Sequence, residues 1–262
     1  MGPLSVSPHL FTPRTLISLA PPLSVRPFSS SKLHPSSSRS LISLPLSPRF
    51  RSFCTSTDWP VIKFEEVVEQ DWSFLETDEI NSESEQSRKA QKIISAADLG
   101  ESSRVLVSLG TEDLVDRLVE SSKCSLLLVV HYSLLSLALI KEKYDAVRCW
   151  QGELVEVSEE WAPFDVVFIP HLPVLNFSLD RIFGVLAERC LPGCRVVMSH
   201  TQGRAIIEQQ RQQHPDLVTL DLPDRNTLEK TASDHLFQII DFVDEPTFYL
   251  AVLKFCKEDD SG

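Results

Sequence analysis

The sequence predicts an α/β fold, in which a doubly wound, mostly parallel seven-stranded sheet ends in an antiparallel hairpin. From residue 104 onward, short apolar runs rich in β-branched residues alternate with longer runs of helical period. One short run, residues 125–131, is nearly continuous in Leu and Val, which is typical of a parallel strand buried on both faces. Only Asp244, Glu245 and Pro246 separate the last two apolar runs, and so short a link allows a hairpin but no crossover.

The individual elements follow from the same pattern. Strands are predicted at residues 104–109, 125–131, 146–151, 165–169, 195–199, 237–243 and 247–255, with a further short strand at 217–222. Helices are predicted at residues 87–97, 112–121, 134–143, 179–190 and 202–213. Pro170 stops a strand because it cannot donate to the sheet, and Pro192 with Gly193 ends the helix before them. Strands that alternate with helices imply right-handed crossovers within one sheet.

The first part of the chain differs from the rest in composition. Residues 1–56 contain no Asp or Glu but six basic residues, and nine of the 17 prolines precede residue 50. Such a segment cannot bury enough apolar surface to offset the entropy of ordering it. Its composition is that of a disordered organelle transit peptide, and the alternative is a basic tail that contacts nucleic acid or lipid.

The composition of residues 1–56 also predicts the organelle to which the protein is sent and a partner that imports it. Its many Ser and Pro residues favour the chloroplast, whereas Arg51 shortly before Cys54 resembles a mitochondrial processing site and keeps the mitochondrion as the alternative. In either case, the organelle import machinery is the expected partner of the leader.

Three further segments complete the predicted organisation: a helical or irregular lead-in at residues 57–100, the α/β domain at 101–257 and a disordered tail at 258–262. Within the lead-in, the polar residues 81–87 are expected to be a loop. Four lead-in aromatic residues are expected on the apolar surface of the domain: Trp59, Phe64, Trp72 and Phe74.

Charge and motifs exclude several classes of function. The chain carries a net charge of −12, and without the leader 19 basic residues face 37 acidic ones. This balance argues against a nucleic-acid binder. The sequence contains no run of about 18 apolar residues, the length that a membrane span needs. Its cysteines are scattered and do not have the spacing of a metal site. The sequence has no nucleophile elbow, phosphate-binding loop or zinc-protease motif.

Residues 103–255 resemble the class I S-adenosylmethionine-dependent methyltransferases. The most specific stretch begins with Phe164, Asp165 and two valines, continues through a helix, and reaches a Pro192-Gly193 turn before the next strand. The resemblance implies S-adenosyl-L-methionine as the cofactor and a small-molecule or protein substrate, which it does not identify.

The resemblance places the first cofactor contacts after the first strand, where the family has an acid followed by a turn with three glycines. Ser108 stands at the acid, Gly110 at the first glycine, and Thr111 follows it in the turn. Glu112 and Leu114 stand at the second and third glycines. The structural alternative is that Glu112 caps the next helix and that no ligand is involved.

Further contacts are implied at the ends of later strands. His131 stands where the family has the acid that accepts both ribose hydroxyls, although a neutral imidazole has only one acceptor nitrogen. Glu153 stands at the acid that meets the adenine amino group. His171, after the fourth strand, is the candidate general base. The structural alternatives for His131, Glu153 and His171 are a solvated strand end, a surface Glu and a loop His, respectively. His200, after the fifth strand, is a looser candidate for the base.

Two functions therefore follow from the sequence. The first is an organellar S-adenosylmethionine-dependent methyltransferase with weak cofactor binding. The alternative is a non-catalytic assembly or interaction protein that keeps the fold and has lost the cofactor. A Rossmann-type oxidoreductase is less well supported, since its three-glycine motif and its acid after the second strand are both missing.

Overall fold

The structure is a computed structural model, and it describes residues 70–75, 82–121 and 123–257. The transit peptide predicted at residues 1–56 and the tail predicted at 258–262 lie outside these residues, as do Trp59 and Phe64. All the described residues belong to one compact unit of the chain, residues 61–262.

The described residues form seven strands and six α-helices. The strands are β1 (Arg104–Ser108), β2 (Leu126–His131), β3 (Arg148–Gln151), β4 (Phe164–Ile169), β5 (Cys190–His200), β6 (Phe237–Glu245) and β7 (Phe248–Phe255). The helices are α1 (Glu83–Ala96), α2 (Glu112–Ser121), α3 (Leu134–Lys143), α4 (Leu179–Arg189), α5 (Gly203–Gln213) and α6 (Arg225–Asp234). The strand and helix order of residues 104–213 was therefore predicted correctly.

The seven strands form one sheet in the order β3-β2-β1-β4-β5-β7-β6. Strands β1 to β5 pair in parallel, whereas β7 runs antiparallel to both β5 and β6. The predicted fold class is thereby confirmed. Strand β1 lies between β2 and β4, so the direction of winding reverses there, and ligands of such sheets bind beyond the strand ends at this point.

Three local predictions were wrong, each for a physical reason. Helix α1 begins at Glu83 inside the predicted loop, because Glu83 and Glu85 suit the positive end of a helix. Strand β5 begins at Cys190, and the predicted turn is a bulge within it, where Gly193 has a φ of +85°. Residues 217–222 form no strand, since the amides of Thr219 and Leu220 both donate to the carbonyl of Pro173.

Helix α6 was missed by the sequence analysis. Its start has a recognisable signal, because the Asp224 carboxylate accepts a hydrogen bond from the Thr227 amide at 2.9 Å. The helix buries Leu228 and Ala232 against the same apolar layer as Phe237 of β6.

The sheet separates two apolar layers. One layer contains Phe183 of α4 with Leu228 of α6, and the other contains Ile93 of α1 with Leu118 of α2 and Ile140 of α3. Of the lead-in aromatic residues, Trp72 and Phe74 pack against the first layer, as expected for this pair. Among the described residues, no helix is long and apolar enough to cross a membrane.

Candidate functional site

A pocket of about 270 Å³ opens where the ends of β1, β4 and β5 meet helix α1. Its walls combine residues that follow these three strands, such as Thr111, His171 and Thr201, with Ala90 and Ile93 of α1. The pocket therefore lies at the reversal point of the sheet, where this architecture binds its ligands.

Two cationic side chains, Lys89 and Arg195, form hydrogen bonds that hold α1 beside the pocket. Lys89 is 5% exposed, and its ammonium donates to the carbonyls of Thr201 and Thr247 at 3.0 and 2.8 Å. It also forms an ion pair with Glu85 at 3.4 Å. At the other end of α1, the Arg195 guanidinium donates to the carbonyl of Ala96 at 2.9 Å. These contacts make α1 a fixed wall of the pocket.

The turn after β1 is organised by the protein core. Ser108 is 2% exposed, and Leu114 is buried in the layer beneath α2. A Cβ atom on Gly110 would lie 2.9 Å from Val107 Cγ1 and 3.2 Å from Val129 Cγ1. Close packing against two valines thus explains this glycine without any ligand.

Glu112 and Thr111 border the pocket but differ in their contacts. The Glu112 carboxylate pairs with Lys143 of α3 at 3.2 Å, and its side chain is 44% exposed. The Thr111 hydroxyl accepts a long hydrogen bond of 3.4 Å from the Leu114 amide at the start of α2. Since Glu112 and Leu114 line the pocket rather than fill it, an open space remains beside the turn.

We expect Gly110→Ala to lower the free energy of unfolding by about 1–3 kcal/mol without any ligand, because the new methyl overpacks the two valines. Chemical denaturation measures this change. The double variant with Val107→Ala should lose less than the sum of the two single variants, since the clash is removed. Strict additivity would show that the glycine is not kept for packing.

His131 is oriented by its own loop. It is 3% exposed, and its Nδ1 accepts a hydrogen bond from the Ser133 amide at 2.9 Å. This bond requires Nδ1 to be unprotonated, so in the neutral ring the hydrogen is on Nε2, which can only donate. The predicted ribose contact of His131 stays a prediction, and this geometry limits it to a donor role.

Trp72 of the lead-in lies against the same strand end. Its indole stacks on Tyr132 with ring centroids 5.2 Å apart and meets the His131 ring edge-on at 5.8 Å. Phe74 stacks on His214 at the end of α5, at 4.2 Å. Trp72 therefore contacts the end of β2, and Phe74 contacts the end of α5.

Glu153 follows β3 and precedes a short 3-10 helix at Leu154–Glu156. It acts electrostatically on Tyr132, whose pKa is raised to about 12, first by burial and then by Glu153 and Glu156. Among the described residues, no group hydrogen-bonds to the buried Tyr132 hydroxyl. Neither Glu153 nor His131 lines the pocket that holds Thr111 and His171. The structure therefore brings only part of the predicted set together.

His171 lines the pocket, with the His200 ring behind it at a centroid distance of 6.1 Å. The His171 pKa is lowered to about 3, first by burial and then by the nearby His200 and His131. Burial also lowers the His200 pKa to about 4. A general base works best with a pKa near the working pH, so His171 is better suited to accept a hydrogen bond than to take up a proton.

His200 was only a loose candidate in the sequence, and the contacts of Trp72 and Lys89 with the site were not foreseen. A His directly after a predicted strand is a usable signal for His200. For Lys89, no sequence signal exists, because its partners are backbone carbonyls more than 100 residues away. Within the residues that the structure describes, no group of three His, Cys, Asp or Glu side chains could hold a metal ion.

The strand order, the reversal point and the pocket together define the fold of the class I S-adenosylmethionine-dependent methyltransferases. Known structures agree. NodS, an N-methyltransferase from Bradyrhizobium japonicum solved with S-adenosyl-L-homocysteine, matches with a TM-score of 0.52 and 10% identity over 70% of this chain and 95% of NodS. An S-adenosylmethionine-dependent methyltransferase from Mesorhizobium loti matches with a TM-score of 0.53 and 13% identity over 64% of this chain and 99% of its own.

A third match broadens the chemistry that the fold can host. The cyclase SpnF matches with a TM-score of 0.50 and 11% identity over 65% of this chain and 81% of SpnF. At such low identity the three matches show the fold alone. No family model and no curated protein matches the sequence itself.

Proposed function

We propose that this chain is an organellar methyltransferase-like enzyme that binds S-adenosylmethionine weakly and transfers its methyl group to a small-molecule or protein substrate. The pocket at the sheet's reversal point carries this proposal, because it lies between the turn after β1 and His171 after β4. Methyl transfer depends mainly on the alignment of donor and acceptor, so it does not require many catalytic side chains.

The residues around the pocket fit the cofactor, whereas the residue at the end of β2 fits it poorly. Around the pocket, Thr111, Thr201 and His171 offer neutral hydrogen-bonding groups. At the end of β2, His131 already accepts from Ser133. Replacing a carboxylate that accepts two hydroxyls with such a group costs about 3 kcal/mol, on the order of a hundredfold in affinity. Weak binding is therefore expected.

A cofactor-free interaction protein is the second candidate. The contact of Trp72 with Tyr132 and His131 favours it, because the indole packs against His131, the residue for which the family resemblance implies the ribose contact. In this case, the lead-in would be a permanent part of the domain rather than a movable cover.

Titration with S-adenosylmethionine and S-adenosylhomocysteine distinguishes the two candidates. In the wild type, we expect calorimetric binding with a dissociation constant of about 1 mM and a matching rise in melting temperature. In Trp72→Ala, Tyr132 becomes available to stack on the adenine, so binding should tighten about tenfold.

Phe74→Ala is the matched control, since it removes an aromatic ring from the same segment but leaves the indole on Tyr132. Phe74 stacks closely on His214, at 4.2 Å, and more distantly on Trp72, at 6.3 Å. The Phe74→Ala variant should bind like the wild type. No heat and no rise in melting temperature at millimolar ligand, in the wild type and in Trp72→Ala alike, would exclude the enzyme and leave the second candidate.

The organellar location is a separate part of the proposal and is supported by the acid-free composition of residues 1–56. A full-length fusion with a fluorescent protein at the C-terminus should enter chloroplasts, and one that begins at residue 57 should not. Entry into mitochondria would select the alternative address. Unchanged distribution after removal of the leader would contradict both.

A further inference from the structure

The inner surface of the pocket is apolar or neutral. Leu75, Ala90, Ile93, Leu114 and Pro170 supply its apolar walls. Hydroxyl, amide and imidazole groups supply the remainder, with two carboxylates at the border formed by α2. Such a lining, with a few convergent polar groups, is typical of small-molecule sites.

The two border carboxylates already have cationic partners on the surface. Glu112 pairs with Lys143 at 3.2 Å. Asp113 has a side chain that is 69% exposed, and both of its oxygens accept from Nε of Arg117 at 3.0 and 2.9 Å. These pairs stand in solvent, which screens them, so they contribute little attraction for a cation inside the pocket.

Lys89, a buried cation of α1, is also compensated. Lys89 lies behind the α1 wall, where two backbone carbonyls and Glu85 surround its ammonium. Its hydrogen-bonding directions are therefore used within the protein. An anionic ligand would lose its hydration on entering, and the described residues that line the pocket include no Lys or Arg to replace it.

The histidines add polar groups without adding charge. His171 lines the pocket, and His200 behind it is 5% exposed. In the described part of the chain, no group hydrogen-bonds to Nδ1 of His200. With both pKa values well below neutrality, each ring has one donor and one acceptor nitrogen at pH 7. His171 can therefore accept a hydrogen bond from a ligand inside the pocket.

We propose that the pocket binds an uncharged, ring-sized molecule whose hydroxyl or N–H group donates a hydrogen bond to His171. The apolar walls hold the ring. Because the charges of Glu112, Asp113 and Lys89 are compensated, they add little attraction to offset the lost hydration of an ionic ring of either sign. The identity of this ligand as the methyl acceptor rests on the proposed function. Its binding does not, because every contact named here forms without the cofactor.

Four probes of nearly equal size test the proposal by ligand-observed NMR at pH 7.5 on the full chain. Benzyl alcohol is neutral and donates a hydrogen bond, toluene is neutral and does not, benzylammonium is a cation and benzoate is an anion. We expect benzyl alcohol to bind at least tenfold more tightly than either ion and several-fold more tightly than toluene.

Two variants locate the effect. His171→Phe keeps a ring in place but removes the acceptor, so benzyl alcohol should bind it no better than toluene does. His235→Phe is the matched control, because His235 lies outside the pocket and contacts Asp180 at 2.9 Å. It should leave all four affinities unchanged, and the melting temperature of each variant reports whether it folds.

The outcomes separate this inference from the proposed function. Tighter binding of benzylammonium would show that the α2 carboxylates select a cation, and tighter binding of benzoate would show an uncompensated cation. Either result overturns the proposal, as does an unchanged benzyl alcohol affinity in His171→Phe. If His171→Phe does not fold, the ranking of the four probes on the wild type still decides. If S-adenosylmethionine does not bind, the affinities of the four probes still test this inference.

Discussion

Gly203→Ala is expected to lower the free energy of unfolding by about 3 kcal/mol, the sum of backbone strain and steric overlap. Gly203 has a φ of +62°, a conformation that L side chains rarely adopt. A Cβ atom there would lie 2.5 Å from the Phe248 amide nitrogen and 2.6 Å from the Pro246 carbonyl oxygen. Both neighbours are backbone atoms of the β6–β7 turn, so neither can rotate away.

The same substitution also has a functional consequence. Gly203 follows Thr201 and Gln202, which line the pocket, and Ala205 donates to the Pro246 carbonyl at 2.9 Å. A displaced helix start would shift the pocket wall. Ligand binding should therefore weaken along with stability.

Gly184→Ala is the matched control, as both variants replace a helical glycine with alanine. A Cβ atom on Gly184 would lie 3.4 Å from His235 Cε1, an ordinary contact. Alanine favours the interior of a helix over glycine by about 1 kcal/mol, so this variant should be as stable as the wild type or more stable. Urea denaturation compares the two. Equal stability of Gly203→Ala and the wild type would contradict the account given for Gly203.

The second large effect is expected from pH. In the folded protein, burial lowers the His200 pKa to about 4, whereas an unfolded chain has a His pKa of about 6.5. Between these values the unfolded state binds the proton and the folded state does not. The contribution of His200 to stability is therefore present above about pH 6.5 and is lost as the pH falls towards 4.

From pH 7 to pH 5, His200 alone should remove about 2 kcal/mol from the free energy of unfolding. His171 adds a loss of the same sign, although its ring borders the pocket, where water can solvate the charged form. His200→Leu should flatten the pH dependence by the amount assigned to His200.

Met198→Leu is the control for this measurement, because Met198 is buried on the same strand and carries no titratable group. Its pH dependence should match that of the wild type. Urea denaturation at several pH values measures all three proteins. If His200→Leu and the wild type lose stability in parallel between pH 7 and pH 5, the lowered pKa of His200 is wrong.

Periodicity predicted the order of the elements well because strands such as β1, β2 and β4 are apolar and buried along nearly their whole length, whereas helices such as α2 bury one face. Helices α2 and α3 were predicted with the boundaries that the structure shows. The start of α1 and helix α6 were missed despite local signals, whereas one strand prediction failed because nonlocal contacts decide the conformation. The segment at residues 217–222 has a strand-like composition, but its amides bond to Pro173 in a different part of the chain.

The candidate site shows the same division. Thr111 and His171 could be placed at the pocket, since both follow strands whose ends must meet at one edge of the sheet. The packing reason for Gly110 could not be foreseen, because Val129 is on the neighbouring strand. The contact between Trp72 and Tyr132 joins residues 60 positions apart and depends on how the lead-in docks.

By itself, the sequence determined the class of fold, the order of its strands and helices along the chain and the edge at which a ligand would bind, because these depend on local period and on the shared edge at which parallel strands end. Only the tertiary structure decided which groups at that edge can interact with a ligand. It directed Nδ1 of His131 to Ser133, placed Trp72 on Tyr132 and buried His200 as a neutral ring. Hydrogen-bond direction, stacking and desolvation are properties of neighbours in space, and those neighbours are distant in the sequence.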